Sequence, residues 1–473
     1  MSSQSTQLLE SSIPFLASDI TAVPDYCHQY DGVLLISQGD RAGAAGTIFY
    51  LFILNQLLYA EQHNLQPWIH LSSFSRHVYD PQVHGTMASM TYQFPEELDL
   101  TWDYLEDDPQ LPDKKFQYPG KPRKRRHHHS SNGSDANNHH QDHHPINHPN
   151  TPVSVTVQGS GVWNSYFESM VRLQRGNQSF EINLTKPCQN LPLLRLESDQ
   201  ALIHGLHLNC PYCVRSWKYG GLTTGVPSRL REPANNYHQW WEPMRITGHR
   251  MVSTYYHLQP ALQQLIPNQQ GGDSNDHDVV VGSHHSTSQP SSSSSCPCLA
   301  VHIRHSDKAN RRTKIPLEAF LPYCQVYVQE GGCRIYVATD SSRVLDKIQA
   351  EWPLAVRERL VFQSDIVRSA NATAVFDIST LGGHHHRTNT EVLVDIAAMA
   401  KCHWILHGLS AVSEAAIYTN PILHQNSVNL EFYSYYKRRE RKHKNKNNNT
   451  EPDAPMSIAA FRSMLQDAGL RHE

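Results

Sequence analysis

Residues 302–308, His-Ile-Arg-His-Ser-Asp-Lys, gather a ring nitrogen, a guanidinium, a carboxylate and an ammonium in one short segment. They follow the apolar Leu299-Ala300-Val301, and residues 298–304 read as a buried strand. Such a strand delivers His302, Arg304, Asp307 and Lys308 to its C-terminal end, where open α/β sheets bind ligands. An arginine there can grip a phosphate through two parallel hydrogen bonds. The alternative is a strand end dressed with solvated charges.

Other residues could join them. Val337-Ala338-Thr339-Asp340 ends a second strand, and Asp340 could bond a ribose or base or cap the helix that begins at Ser341. Asp395 lies within a helix whose apolar side carries Val392, Leu393, Ile396, Ala397 and Ala400. A carboxylate buried unpaired there is costly, so it is either solvated or paired with a base edge or an arginine. Ser410 follows Gly408 and opens another helix, where backbone N–H groups can take a phosphate or the serine simply caps. In the N-terminal half, residues 38–46 (Gln-Gly-Asp-Arg-Ala-Gly-Ala-Ala-Gly) join a strand to a helix. Gly39, Gly43 and Gly46 would let that backbone approach a phosphate, and Asp40 and Arg41 add polarity at the same edge. The loop has neither dinucleotide-binding nor Walker spacing, and a tight turn without ligand fits it equally. Cys210-Pro211-Tyr212-Cys213 has redox-motif spacing in the wrong context and reads as a local disulfide or an inert pair. Cys296 and Cys298 beside a polyserine tract make a poor half of a zinc site. The histidine runs 127–129 and 384–386 read as solvated, so no metal site is expected.

These groups need a scaffold, and the chain has the length for one. It has 473 residues with a formal net charge of −3, which does not suggest a nucleic-acid binder. Thirty-one histidines are many, but low-complexity tracts hold a large share. Residues 121–151, 268–297 and 437–455 carry too little apolar surface to offset their ordering entropy and read as unstructured. After the second tract, strand and helix periods alternate: strands over 298–304, 333–339, 359–363 and 403–407, helices over 316–329, 341–351, 390–401 and 410–418. This order predicts a parallel sheet covered on both faces. The N-terminal half opens with a strand over 32–37, a helix over 47–62 and a strand over 67–71, and a helix over 251–266 leads into the linker. The expected fold class is α/β. A 1–26 extension precedes an α/β domain over 27–267, and the 268–297 linker joins it to a Rossmann-like domain over 298–436. A basic tail with a short helix occupies 437–473.

The C-terminal half resembles the GDP-fucose-dependent fucosyltransferases, above all the α-1,6 group, with the bacterial chitin-oligosaccharide and protein O-fucosyltransferases as relatives. The carrying blocks are residues 301–308, 335–340, 394–396 with 400–401, and the strand leading to Ser410, together about a quarter of the chain. The resemblance implies a GT-B-like pair of α/β domains and inverting transfer of fucose from GDP-fucose without an obligatory metal or other cofactor. By position, Arg304 would grip the diphosphate, His302 would touch the nucleotide and Asp395 would contact the guanine. Asp340 would stand on the nucleotide side, with Ser410 near the diphosphate. Two departures stand out. The α-1,6 group has a second arginine where this chain has His305, and its proposed base falls where this chain has Ala309-Asn310-Arg311-Arg312. The expected base is Asp40, at a strand end that should face the cleft. The resemblance implies this through the protein O-fucosylating relatives, which also draw a carboxylate from their first βα loop. Asp307 is the competing candidate and is expected rather to orient Arg304 or Lys308.

The expected function is fucose transfer to a glycan or protein hydroxyl. The alternatives are transfer from another nucleotide sugar, a catalytically silent nucleotide-sugar or glycan binder, and a thiol oxidoreductase built on Cys210 and Cys213. Family members work in the Golgi or endoplasmic reticulum lumen. Residues 1–24 lack a signal-peptide pattern, so the chain is cytosolic or without its targeting segment. Nine cysteines in this length do not demand a disulfide framework, and sequons at Asn132, Asn177, Asn183, Asn371 and Asn448 favour secretion only weakly. Oligomeric state is left open.

Overall fold

The computed structural model describes residues 24–36, 48–71, 83, 89–98, 152–158, 162–195, 237–267, 296–305, 314–370, 375, 385–408, 410–430 and 456–470. The 38–46 loop with Asp40, Gly39, Gly43 and Gly46 lies outside them, as do Asp307, Lys308, Cys210, Cys213 and nearly all of the low-complexity tracts.

The N-terminal half holds β1 (Gly32–Ile36), a π-helical turn (Ile48–Ile53) running into α1 (Leu54–Gln62), and β2 (Leu65–Ile69). Next come β3 (Ser89–Phe94), β4 (Glu97–Leu98), β5 (Val153–Gln158), β6 (Met170–Arg175), β7 (Gln178–Asn183) and β8 (Leu193–Arg195). Strands β2, β1, β8 and β4 form a parallel sheet in that order, while β3–β5 and β6–β7 are antiparallel pairs. Every residue of β1 and β2 is buried, as a strand covered on both faces requires. Two helices lead to the linker, α2 (Tyr237–Tyr255) and α3 (Pro260–Gln264). The single helix expected over 251–266 is thus two, because Pro260 starts a new helix after the extended Gln259.

The C-terminal half alternates β9 (Cys298–Ile303), α4 (Leu317–Gln329), β10 (Arg334–Thr339), α5 (Ser342–Glu351), α6 (Leu354–Arg357) and β11 (Leu360–Val361). It continues with α7 (His385–Ala400), β12 (Trp404–His407), α8 (Ala411–Thr419), α9 (Ile422–Gln425) and β13 (Ser427–Asn429). A last helix, α10 (Ile458–Asp467), packs on α4 through Phe461 against Tyr323. All five strands run parallel in the order β11-β10-β9-β12-β13. Counted along the chain, that order is third, second, first, fourth, fifth. The winding direction reverses between β9 and β12, which opens a crevice beyond their C-terminal ends.

Strand period assigns the faces. Leu299, Val301, Ile303, Ile335 and Val337 pack with α4, α5 and α10. Cys298, Ala300, Tyr336 and Ala338 face α7 and α8. Small side chains at 298, 300 and 338 let those two helices approach the sheet. The same apolar cluster continues to Leu34 and Ile36 of β1 and to Phe49 and Tyr50 before α1. Burying each such side chain contributes roughly 1.5–3 kcal/mol. The molecule is therefore a mixed α/β protein with two parallel sheets.

Among the described residues, disulfides join Cys27 to Cys188, Cys296 to Cys333 and Cys298 to Cys402. The last two clamp the start of β9 to the turns before both neighbouring strands, and they account for the Cys296–Cys298 pair without zinc. The linker's final two residues are held as well, since Pro297 O accepts from the Tyr327 hydroxyl at 2.6 Å. Among the described residues no helix is long and apolar enough to cross a membrane.

Candidate functional site

The crevice where the winding reverses is lined by His302, Ile303, Arg304 and His305 from the end of β9, and by Gly408 and Ser410 from the end of β12. Ile315 and Phe320 complete it. The recess has room for about one water-sized group, so it suits one polar group of a larger ligand rather than a whole small-molecule site. Three residues expected at a donor site, His302, Arg304 and Ser410, thus meet in one place.

Each is held by its element. His302 is the fifth residue of a fully buried strand, so its ring is fixed on the α7–α8 face. Arg304 leaves the strand half-exposed, and its Nε stands 3.9 Å from Asp340 Oδ2. The register explains the pairing: Thr339 lies beside Ile303, so the residues that follow also meet. Asp340 Oδ1 accepts the backbone N–H of His305 at 2.9 Å. Asp340 does not cap the next helix, because α5 starts at Ser342 with Ser341 as its N-cap. Its carboxylate instead steadies the loop that carries Arg304, a role expected of Asp307.

His305, where the α-1,6 group has a second arginine, is hydrogen-bonded to the protein's own backbone. Its Nε2 donates to Ile315 O at 2.6 Å and ties down the far end of the loop that leaves β9. Across the recess, Ser410 caps α8 by accepting from Val412 N at 3.3 Å. Ser413 Oγ donates to Gly408 O at 3.1 Å and fixes the turn from β12 into α8. The N-terminal N–H groups of α8 lie at this edge, where they favour an anion.

Asp395 forms a second cluster on the same sheet face, deeper beneath the ligand edge. It is buried rather than solvated, and its side-chain donors are a tyrosine and a glutamine rather than an arginine. Its Oδ1 accepts from the Tyr336 hydroxyl and from Gln363 Nε2, each at 2.6 Å. Burial raises its pKa to about 6, although both hydrogen bonds and the nearby Arg368 charge pull it down. Burial also holds the Tyr336 hydroxyl well above its ordinary range, so it stays a donor. Tyr336 pairs with Ala300, two positions before His302, so Tyr336 and His302 lie on one face of the sheet. The segment after β11 is bound to this cluster: Val367 N donates to Glu391 Oε2 at 3.1 Å, and Ser369 N donates to Asp340 O at 2.9 Å. Arg368 Nε donates to Thr339 O at 3.3 Å, and burial lowers its pKa.

Sequence reading missed Gln363, Tyr336 and Ile315, whose roles come from long-range pairing. It also erred on residues 384–386. His385 and His386 open α7 half-buried, with the His386 ring centre 5.0 Å from that of Tyr166. Among the described residues no three His, Cys, Asp or Glu side chains gather as a metal site. Compared with known proteins, the chain matches no family model and no curated protein.

Proposed function

We propose that this protein is an inverting glycosyltransferase of fucosyltransferase type, with GDP-fucose as donor and a glycan or protein hydroxyl as acceptor. One observation carries the reading: Arg304, His302 and the Ser410 end of α8 converge on a single recess where the strand order reverses. A guanidinium opposite a helix N-terminus suits a diphosphate. In the proposed reaction, the acceptor oxygen attacks the sugar's anomeric carbon and the carbon–oxygen bond to the β-phosphate breaks. The bonding pair stays on the departing GDP, and Arg304 offsets the charge that develops there. The acceptor proton goes to a carboxylate of the facing half, for which Asp40 is the candidate. Lys308 would extend the diphosphate contacts with Asp307 orienting it or Arg304, and Gly39, Gly43 and Gly46 would bring backbone close from the other side. A GT-B-like arrangement, with the two α/β units facing across a cleft, belongs to the same proposal. So does Asp395 as the group beneath the guanine.

Three disulfides favour an oxidising compartment, in keeping with the Golgi or endoplasmic reticulum lumen. A second reading has one specific support. His305 stands where the α-1,6 group has a second arginine and its Nε2 is hydrogen-bonded to Ile315 O, an arrangement a silent nucleotide-sugar binder would tolerate. The test is GDP or UDP release from GDP-fucose, GDP-mannose and UDP-sugars, with and without glycan acceptors. Wild type should turn over GDP-fucose, and Arg304→Ala should lose at least about 100-fold in kcat, the worth of one preorganised donor. GDP binding without turnover would favour the silent reading. No binding of any nucleotide would end both.

A further inference from the structure

Helix α2 meets α8 through an ion pair sealed from water. Arg245 donates from Nε to Glu414 Oε2 at 3.1 Å and from Nη2 to Oε1 at 2.8 Å, and the two side chains are 2% and 3% exposed. Its Nη1 stands 3.1 Å from Nδ1 of His424. A guanidinium only donates, so that ring nitrogen accepts. Three residues on, Gly248 lies so close to Tyr418 that an added Cβ would stand 2.8 Å from the ring. His249 Nδ1 donates to Tyr418 O at 2.8 Å. Residues 245, 248 and 249 share one face of α2.

A buried ion pair is weak evidence for stability, because desolvation offsets the attraction. Its best-attested use is to fix register. Ala415, Ala416 and Ile417 on α8 belong to the shared apolar cluster, whose packing is non-directional, so the fork adds to the register that Gly248 and His249 set against Tyr418. A two-pronged fork admits one setting. Glu414 also lies one turn from Ser410, about 6 Å along the helix. An unpaired carboxylate there would oppose an anion at the helix N-terminus, and Arg245 neutralises it. The same helix α2 reaches α1 through Arg250 and Glu61.

We propose that Arg245 and Glu414 are positioning residues, through which α2 sets the place of α8 so that Ser410 and the helix N-terminus meet an anion held by Arg304. The proposal rests on reading the recess as the donor's phosphate site. The test compares wild type with Arg245→Met/Glu414→Leu, which removes both charges together and leaves neither orphaned, and with Arg245→Lys, which keeps the charge and loses the fork. GDP affinity is measured by calorimetry, and amide hydrogen exchange is followed across residues 408–414. The double variant should unfold near the wild-type midpoint, bind GDP about tenfold more weakly and exchange faster at 411–414. Arg245→Lys should move both readouts in the same direction, and it decides the matter if the double variant fails to fold. Wild-type affinity and wild-type exchange in the folded variants would overturn the proposal. If wild type binds no GDP, the donor reading fails and takes the positioning claim with it; if wild type binds GDP and the folded variants bind it equally well, the positioning claim alone fails.

Discussion

Asp395→Asn probes the deepest charged group of the site. Burial lifts the carboxyl from 3.8 in water to about 6 in the fold, so the ionised form is less at home folded than unfolded. The sign follows from linkage. Below the unfolded pKa both states hold the proton and the group costs nothing. Between the two pKa values the folded state keeps the proton longer, and above the folded pKa the full cost is present. A shift of this size is worth roughly 3 kcal/mol against folding near neutral pH. Protonating the carboxylate by acidification from about pH 7.5 to about pH 5 should return about 1 kcal/mol of that. Asparagine keeps an acceptor for Tyr336 and Gln363 and carries no charge, so it should lack this contribution. The assay is urea unfolding followed by tryptophan fluorescence, Trp404 being buried in the central sheet. Subtracting the variant's pH profile from that of wild type removes the other carboxylates. Wild type should gain stability relative to Asp395→Asn as pH falls through 6. A flat difference, or a gain on raising the pH, would refute the argument that burial dominates at this carboxylate.

Asp340→Asn should weaken GDP binding about three- to tenfold while the fold survives, because the half-exposed Arg304 loses an orienting charge but not its loop; equal affinities in calorimetry would contradict this. Replacing Cys298 and Cys402 by alanine should cost about 2–4 kcal/mol in urea unfolding, since the bond closes a long loop around β9 and β12. Expressed through the endoplasmic reticulum, the chain should carry all three disulfides and a glycan on Asn177, which sits exposed in the β6–β7 turn. Peptide mapping under non-reducing conditions, before and after enzymatic deglycosylation, checks both.

The alternation of buried strands and helices in the C-terminal half was legible because the signal is local. Cys298–Ile303 is an apolar run, and Leu393, Ile396, Ala397 and Ala400 recur at helical spacing. A parallel sheet covered on both faces follows from such a pattern, and with it the placement of His302 and Arg304 at a strand end. Helix limits were less legible where tertiary contacts extend an element. Helix α7 begins five residues before the expected 390, where His386 finds the ring of Tyr166 to pack on.

Residue types and their spacing along the chain were enough to single out Arg304, Ser410 and Asp395. Only the tertiary structure decided what each of them meets. The order of five strands brings the ends of β9 and β12 together, and no local pattern encodes that order. Asp340 turns to Arg304 because a parallel register aligns residues 36 positions apart. Asp395 finds Tyr336 and Gln363 because a buried carboxylate must take hydrogen bonds from whatever donors the packing supplies. Cysteines pair on the same terms, by proximity at the base of the sheet. Local free energy writes the elements into the sequence, but burial and long-range hydrogen bonding choose the partners.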